Sequence, residues 1–111
     1  MIITGGAGGI GAGMGRAMVK EGATVVAVDL NPEAGAKVLA ELQQHSPQSS
    51  FIECDLTKHD QLKNVVEQVV EKYGRLDVLV NNAHASKQVP LLETTPEHLA
   101  LSMDTGLYPT W

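Results

Sequence analysis

Three glycines constrain this chain more than anything else in it. Gly5, Gly9 and Gly11 lie in Thr4-Gly5-Gly6-Ala7-Gly8-Gly9-Ile10-Gly11, directly after the short apolar run Met1-Ile2-Ile3. A helix-compatible segment follows, then the apolar run Ala23-Thr24-Val25-Val26-Ala27-Val28, which ends on Asp29. The order is strand, glycine turn, helix, strand, carboxylate, and it fits a βαβ unit that holds a dinucleotide. The turn must be tight and its backbone must approach a pyrophosphate closely, so side chains are unwelcome there. A helix starting near Gly11 aims free N–H groups and a positive dipole end at the phosphates. Asp29, at the end of the second strand, is placed to accept hydrogen bonds from an adenosine ribose.

The rest of the chain continues the alternation. Strands are predicted at Met1 to Thr4, Ala23 to Asp29, Ser50 to Asp55 and Leu76 to Val80, the last apolar apart from Asp77. Helix one runs from about Gly11 to Lys20, and Gly13 and Gly15 inside it imply a close neighbour, either the nucleotide or the sheet. Helix two opens on Asn31-Pro32-Glu33, a cap, a first-turn proline and a first-turn acid. Helix three, with Thr57 as its expected cap, carries Leu62, Val65, Val66, Val69, Val70 and Tyr73 at helical spacing and stops at Gly74. Thr95-Pro96-Glu97 opens a fourth helix bearing Leu99 and Met103. Strands this apolar argue for a parallel sheet covered on both faces. The fold class is α/β, a partial Rossmann-like doubly wound sheet of about four strands in the order 3-2-1-4.

Composition narrows the function. The 111 residues suffice for one small domain, spanning 1–111, and the net charge of −5 comes without a basic run. Nucleic acid and anionic membrane surfaces are therefore not expected partners. No apolar run reaches membrane-spanning length, no signal peptide is visible, and the single cysteine, Cys54, reads as a small buried hydrophobe; a reducing cytoplasm fits. His45, His59 and His98 show no metal spacing and read as surface residues.

Ligands of such sheets lie beyond the carboxyl ends of the strands. The polar residues there are Thr4, Asp29, Asp55 and Asn81-Asn82. Asp55 could accept from an adenine amino group or serve as a capping acid for helix three. Asn81 and Asn82 could pin the strand-four backbone, meet a ribose, or simply form a turn. A 2′-phosphate needs a basic residue, yet Gly8 precedes Gly9 and Leu30-Asn31-Pro32 follow Asp29, which selects NAD(H) over NADP(H).

Taken together, Thr4-Gly5-x-x-x-Gly9-x-Gly11, Asp55-Leu56 and Asn81-Asn82-Ala83 resemble the short-chain dehydrogenase/reductase family over essentially the whole chain. The resemblance implies that Gly5, Gly9, Ile10 and Gly11 lie along the pyrophosphate and that Asp29 and Leu30 meet the adenosine ribose. It places Asp55 and Leu56 at the adenine, Asn82 and Ala83 at the nearby ribose, and Asn81 in holding the strand. It implies hydride transfer between NAD(H) and a small alcohol or carbonyl substrate, and a homo-oligomeric full-length form.

The chain departs from the family pattern at several points. His84 stands where Asn-Asn-Ala is usually followed by glycine, and counting back from Gly106 puts Met103 where the family carries a proton-relay asparagine. The family's catalytic serine and Tyr-x-x-x-Lys pair are not matched: Tyr73 is followed four places on by Asp77, and Tyr108 lies close to Trp111. No catalytic residue is assigned. The expectation is the amino-terminal, cofactor-binding half of a larger enzyme, cut at both ends and inert alone. Two alternatives are a non-catalytic nucleotide-binding module and, from Gly9-Ile10-Gly11-Ala12-Gly13, an S-adenosylmethionine-dependent methyltransferase.

Overall fold

Each apolar run of the sequence contributes a strand, and the first three helices cover the two faces of the resulting sheet. The computed structural model describes residues 1–110; Trp111 lies outside the described residues. The strands and α-helices are β1 (Ile2–Thr4), α1 (Gly9–Lys20), β2 (Val26–Asp29), α2 (Pro32–Gln43), β3 (Ser50–Glu53), α3 (His59–Tyr73), β4 (Leu79–Val80) and α4 (Pro96–Ser102), which ends just before Met103 and runs into a wider helical turn at Met103–Leu107. The strands form one parallel sheet in the order β3-β2-β1-β4, as the crossover rules require.

Strand alternation divides the core in two. Ile3, Val25 and Ala27 face Ala12 and Val19 of α1 and Val38 and Leu42 of α2. Ile2, Val26, Val28 and Cys54 face Val65 and Val69 of α3. The central strands β1 and β2 are thus covered on both sides, whereas β3 is half-buried and Leu79 of β4 is 50% exposed. The expected double cover holds for the middle of the sheet and fails at its edges.

Several expected boundaries shift for identifiable reasons. Strand two starts at Val26 rather than Ala23, because β1 offers only three residues to pair and the Val25 N–H goes instead to Ser49 Oγ at 3.1 Å. Strand three ends at Glu53, since the Asp55 N–H turns away to Gln61 Oε1 at 2.8 Å. Strand four shrinks to Leu79 and Val80 because the short β1 offers it only Ile2 and Ile3 to pair with. Thr57 does not cap α3: Lys58 occupies the cap position and makes no side-chain bond there. Gly74 does end α3, in the left-handed conformation, with its N–H on the Val70 carbonyl. Of the α3 stripe, Val65 and Val69 are buried while Val66 and Val70 are 42% and 45% exposed. His98 is more than a surface residue, since its Nδ1 accepts from the Thr95 N–H at 3.2 Å at the start of α4.

The two helix-one glycines part company. A Cβ on Gly15 would lie 3.2 Å from Leu42 Cδ2, so this glycine lets α1 sit close to α2 and the sheet. A Cβ on Gly13 would meet nothing within 4 Å. Gly13→Ala is therefore expected to raise stability by about 1 kcal/mol, from helix propensity alone. Urea unfolding checks this, and a lower midpoint would show that the position carries a constraint.

Candidate dinucleotide-binding site

The glycine turn folds back on itself and against the segment after β4. Gly5 has φ of 64°, and a Cβ there would fall 2.9 Å from Asn82 Nδ2 and 3.0 Å from Ala83 Cα. A Cβ on Gly11 would lie 2.2 Å from the Gly5 carbonyl oxygen and 2.7 Å from Asn82 Nδ2. Only glycine fits either place. On the outer side of the turn the space is open: Cβ atoms on Gly8 and Gly9 would meet nothing within 4 Å, and Ile10 is 77% exposed. Helix α1 begins at this open side, with Gly8 as a cap that makes no side-chain bond and no acid in the first turn. Its first N–H groups and the positive end of its dipole are therefore available to an anion. The donor set and the open space fit a diphosphate.

Asp29 stands at the end of β2 beside this turn. Its Oδ2 accepts from the Ala7 N–H at 3.1 Å and its Oδ1 from the Asn31 N–H at 3.2 Å. Each carboxylate oxygen has two acceptor positions, so the carboxylate can hold the turn and still receive ribose hydroxyls. Next to it, Asn31 Oδ1 caps α2 by accepting from the Ala34 N–H at 3.0 Å.

Asp55 lies just past β3. Its Oδ1 accepts from the Thr57 N–H at 3.0 Å and the Thr57 hydroxyl at 2.7 Å. These bonds hold the Asp55 carboxyl below the usual aspartate range, the hydroxyl contributing most. A lowered folded-state value stabilises the fold at neutral pH, and that contribution is lost as the pH falls below about 4. Thr57→Ala is expected to move the Asp55 titration midpoint, followed by NMR, up towards the ordinary aspartate value; an unmoved midpoint would contradict this assignment. Cys54, 1% exposed, has its thiol pushed up by burial and behaves as a small hydrophobe.

The residue that sequence reasoning undervalued is Thr4. Its hydroxyl accepts from the Asn82 and Ala83 N–H groups at 3.0 and 3.1 Å and donates to the Val80 carbonyl at 3.3 Å. The Asn82 amide adds a bond of 2.9 Å to the Thr4 carbonyl. It is thus Asn82 whose side chain ties the post-β4 segment to β1, the task expected of Asn81. The signal was a threonine ending one strand beside an asparagine pair ending its neighbour.

These segments enclose a cleft of about 230 Å³ lined by Gly5, Asp29, Leu30, Asp55, Leu56 and Ala83 together with Cys54, Thr57, His84, Ala85 and Thr105. Six of the ten expected site residues meet here. Gly9 and Ile10 sit on the neighbouring open face of the turn, whereas Gly11 is buried against the Gly5 carbonyl and Asn82 lies behind the turn. No lysine or arginine lines the cleft. Among the described residues no cluster of metal-ligating side chains occurs, and no helix is long and apolar enough to cross a membrane.

Residues 1–110 match the short chain dehydrogenase family. A 3beta-hydroxysteroid dehydrogenase of Mediterraneibacter gnavus is 45% identical over 96 residues, which is 84% of this chain and 35% of that protein. The 15-hydroxyprostaglandin dehydrogenase [NAD(+)] of Bos taurus is 39% identical over 109 residues, 96% of this chain and 41% of that protein. A short chain dehydrogenase from Bacillus anthracis superposes with a TM-score of 0.91 at 32% identity, covering 98% of this chain and 45% of that one. An NAD+-bound xylitol dehydrogenase also superposes at 0.91, with 25% identity, covering 97% of this chain and 42% of that one. The chain thus spans less than half the length of these relatives. Its glycine turn, its sheet order and its sequence all lead to one assignment: the chain belongs to the short-chain dehydrogenase family of oxidoreductases.

Proposed function

We propose that this chain is the NAD(H)-binding portion of an oxidoreductase acting on a small alcohol or carbonyl compound. The observation that carries the reading is the uncapped start of α1 at Gly8-Gly9, open to solvent and flanked by Asp29, with no basic side chain in the adjoining cleft. A bound nicotinamide dinucleotide would supply hydride transfer. The chain's own residues bind and orient it. The first-turn N–H groups of α1, at Gly9, Ile10 and Gly11, receive the diphosphate. Asp29 and Leu30 receive the adenosine ribose, Asp55 and Leu56 the base, and Ala83, fixed by Thr4 and Asn82, the neighbouring ribose.

The choice of NAD(H) over NADP(H) follows from charge. Asp29 repels a 2′-phosphate and no cation in the cleft offsets that repulsion. The NAD+-bound xylitol dehydrogenase and the NAD(+) prostaglandin dehydrogenase, both similar to this chain, support the same choice. The methyltransferase alternative falls with the family assignment. A homo-oligomeric, cytoplasmic full-length form belongs to this reading, supported by the family resemblance and the single buried cysteine.

Titration with NADH and NADPH, followed by nicotinamide fluorescence, tests it. NADH is expected to bind at least about tenfold more tightly, a difference of about 1.4 kcal/mol, and Asp29→Ala to erase the preference. Equal or tighter binding of NADPH would overturn the reading.

A further inference from the structure

The carboxyl-edge cleft has one aromatic ring among its lining residues, the imidazole of His84. By the family resemblance this position is expected to be glycine, so the ring is a departure from the family pattern. Its placement is defined by its neighbours. Ala83, immediately before it, is pressed against the glycine turn, its Cα 3.0 Å from where a Gly5 Cβ would be. Ala85, immediately after it, donates its N–H to Thr105 Oγ1 at 2.8 Å, and the Thr105 hydroxyl in turn donates to the Leu101 carbonyl at 2.7 Å. The segment carrying His84 is therefore held on both sides.

The ring itself rests on Gly106. A Cβ on Gly106 would fall 2.7 Å from His84 Cδ2 and 3.6 Å from Nε2, so the imidazole edge occupies space that any larger residue at 106 would take. The remaining lining of the cleft is mostly apolar, from Leu30, Leu56, Ala83 and Ala85, with the carboxylates of Asp29 and Asp55 among its polar residues. A mostly apolar cleft with one ring and carboxylate acceptors in its lining suits a planar base that carries an exocyclic amine.

The geometry points to His84 as a base-contacting residue, its imidazole resting on Gly106 and forming a wall of the cleft against which the adenine of the dinucleotide packs. This rests on the NAD(H)-binding reading above. The contact acts through the ring face and needs no charge on the imidazole. Gly106 is part of the same device, since it leaves the room in which the ring lies.

Binding of NADH and of AMP, which lacks the nicotinamide half, tests the wall in wild type, His84→Gly, His84→Phe and Gly106→Ala, with melting temperatures recorded alongside. His84→Gly is expected to weaken both ligands about fivefold, the scale of a lost base–aromatic contact. His84→Phe, which keeps a ring, is expected to stay within about twofold of wild type. Gly106→Ala is expected to resemble His84→Gly, because its new methyl group displaces the ring. Should Gly106→Ala fail to fold, His84→Gln, of similar size without a ring, takes its place and is expected to bind as weakly as His84→Gly. Wild-type affinity in His84→Gly, or binding by His84→Phe as weak as by His84→Gly, would overturn the wall while leaving NAD(H) binding intact. A wild-type protein that binds neither ligand would overturn the underlying reading and the wall with it.

Discussion

Gly11→Ala is expected to lower the stability of the chain by about 1–2 kcal/mol and to remove measurable NADH binding. The added methyl would sit 2.2 Å from the Gly5 carbonyl oxygen, a backbone atom that no side-chain rotation can move aside. Overpacking of this kind costs about 1–3 kcal/mol, and the gain in helix propensity from glycine to alanine, about 1 kcal/mol, recovers only part of it. Relief requires the Gly5 turn to move away from α1, which also displaces the donors that would receive the diphosphate. The comparison with Gly13→Ala makes the test severe. The same substitution two positions along the same helix, into open space, is expected to stabilise. Urea unfolding of both variants gives the two signs. A Gly11→Ala protein as stable as wild type would mean that the turn is not held as tightly as its geometry shows.

Thr4→Val is expected to cost about 2 kcal/mol and to weaken NADH binding about tenfold, although Thr4 lies in a strand. The shape is kept and the hydroxyl is lost. Two backbone N–H groups, those of Asn82 and Ala83, then lack the acceptor they have at 3.0 and 3.1 Å. Leaving such buried donors unpaired costs about 1–3 kcal/mol. The same loss frees the Ala83 segment, which forms one wall of the cleft beside Gly5. The expected result is a lower urea midpoint with an unchanged slope, and a raised NADH dissociation constant. Thr4→Ser, which keeps the hydroxyl, is expected to retain most of both.

The topology was legible in the sequence because it depends on order and period alone. Apolar runs alternating with helical stripes give a parallel sheet, and the crossover rules then leave 3-2-1-4. The glycine turn was legible because close backbone approach demands glycine, and the position of Asp29 because it ends the second apolar run. Strand ends were not, because they depend on what the partner strand offers. Val25 reads as strand yet gives its N–H to Ser49, and strand four finds only Ile2 and Ile3 of β1 to pair with. The role of Thr57 was missed because a hydroxyl near a helix start has two possible partners, and here Asp55 rather than α3 receives it. The work of Thr4 and Asn82 spans 78 positions of sequence and is visible only once β4 lies beside β1. His84 drew notice as a departure from the family pattern, but its contact with Gly106 depends on the return of the chain after α4.

The central claim, that the start of α1 and the adjoining carboxyl edge form a dinucleotide site, is tested most directly by following backbone amides during an NADH titration by NMR. The expected result is saturable shifts concentrated at Gly9, Ile10 and Gly11, with further shifts at Asp29-Leu30, Asp55-Leu56 and Ala83, and little change along the β3 edge groove lined by Ser50, Phe51 and Tyr73. Shifts centred on that groove, or none at the glycine turn at saturating NADH, would contradict it.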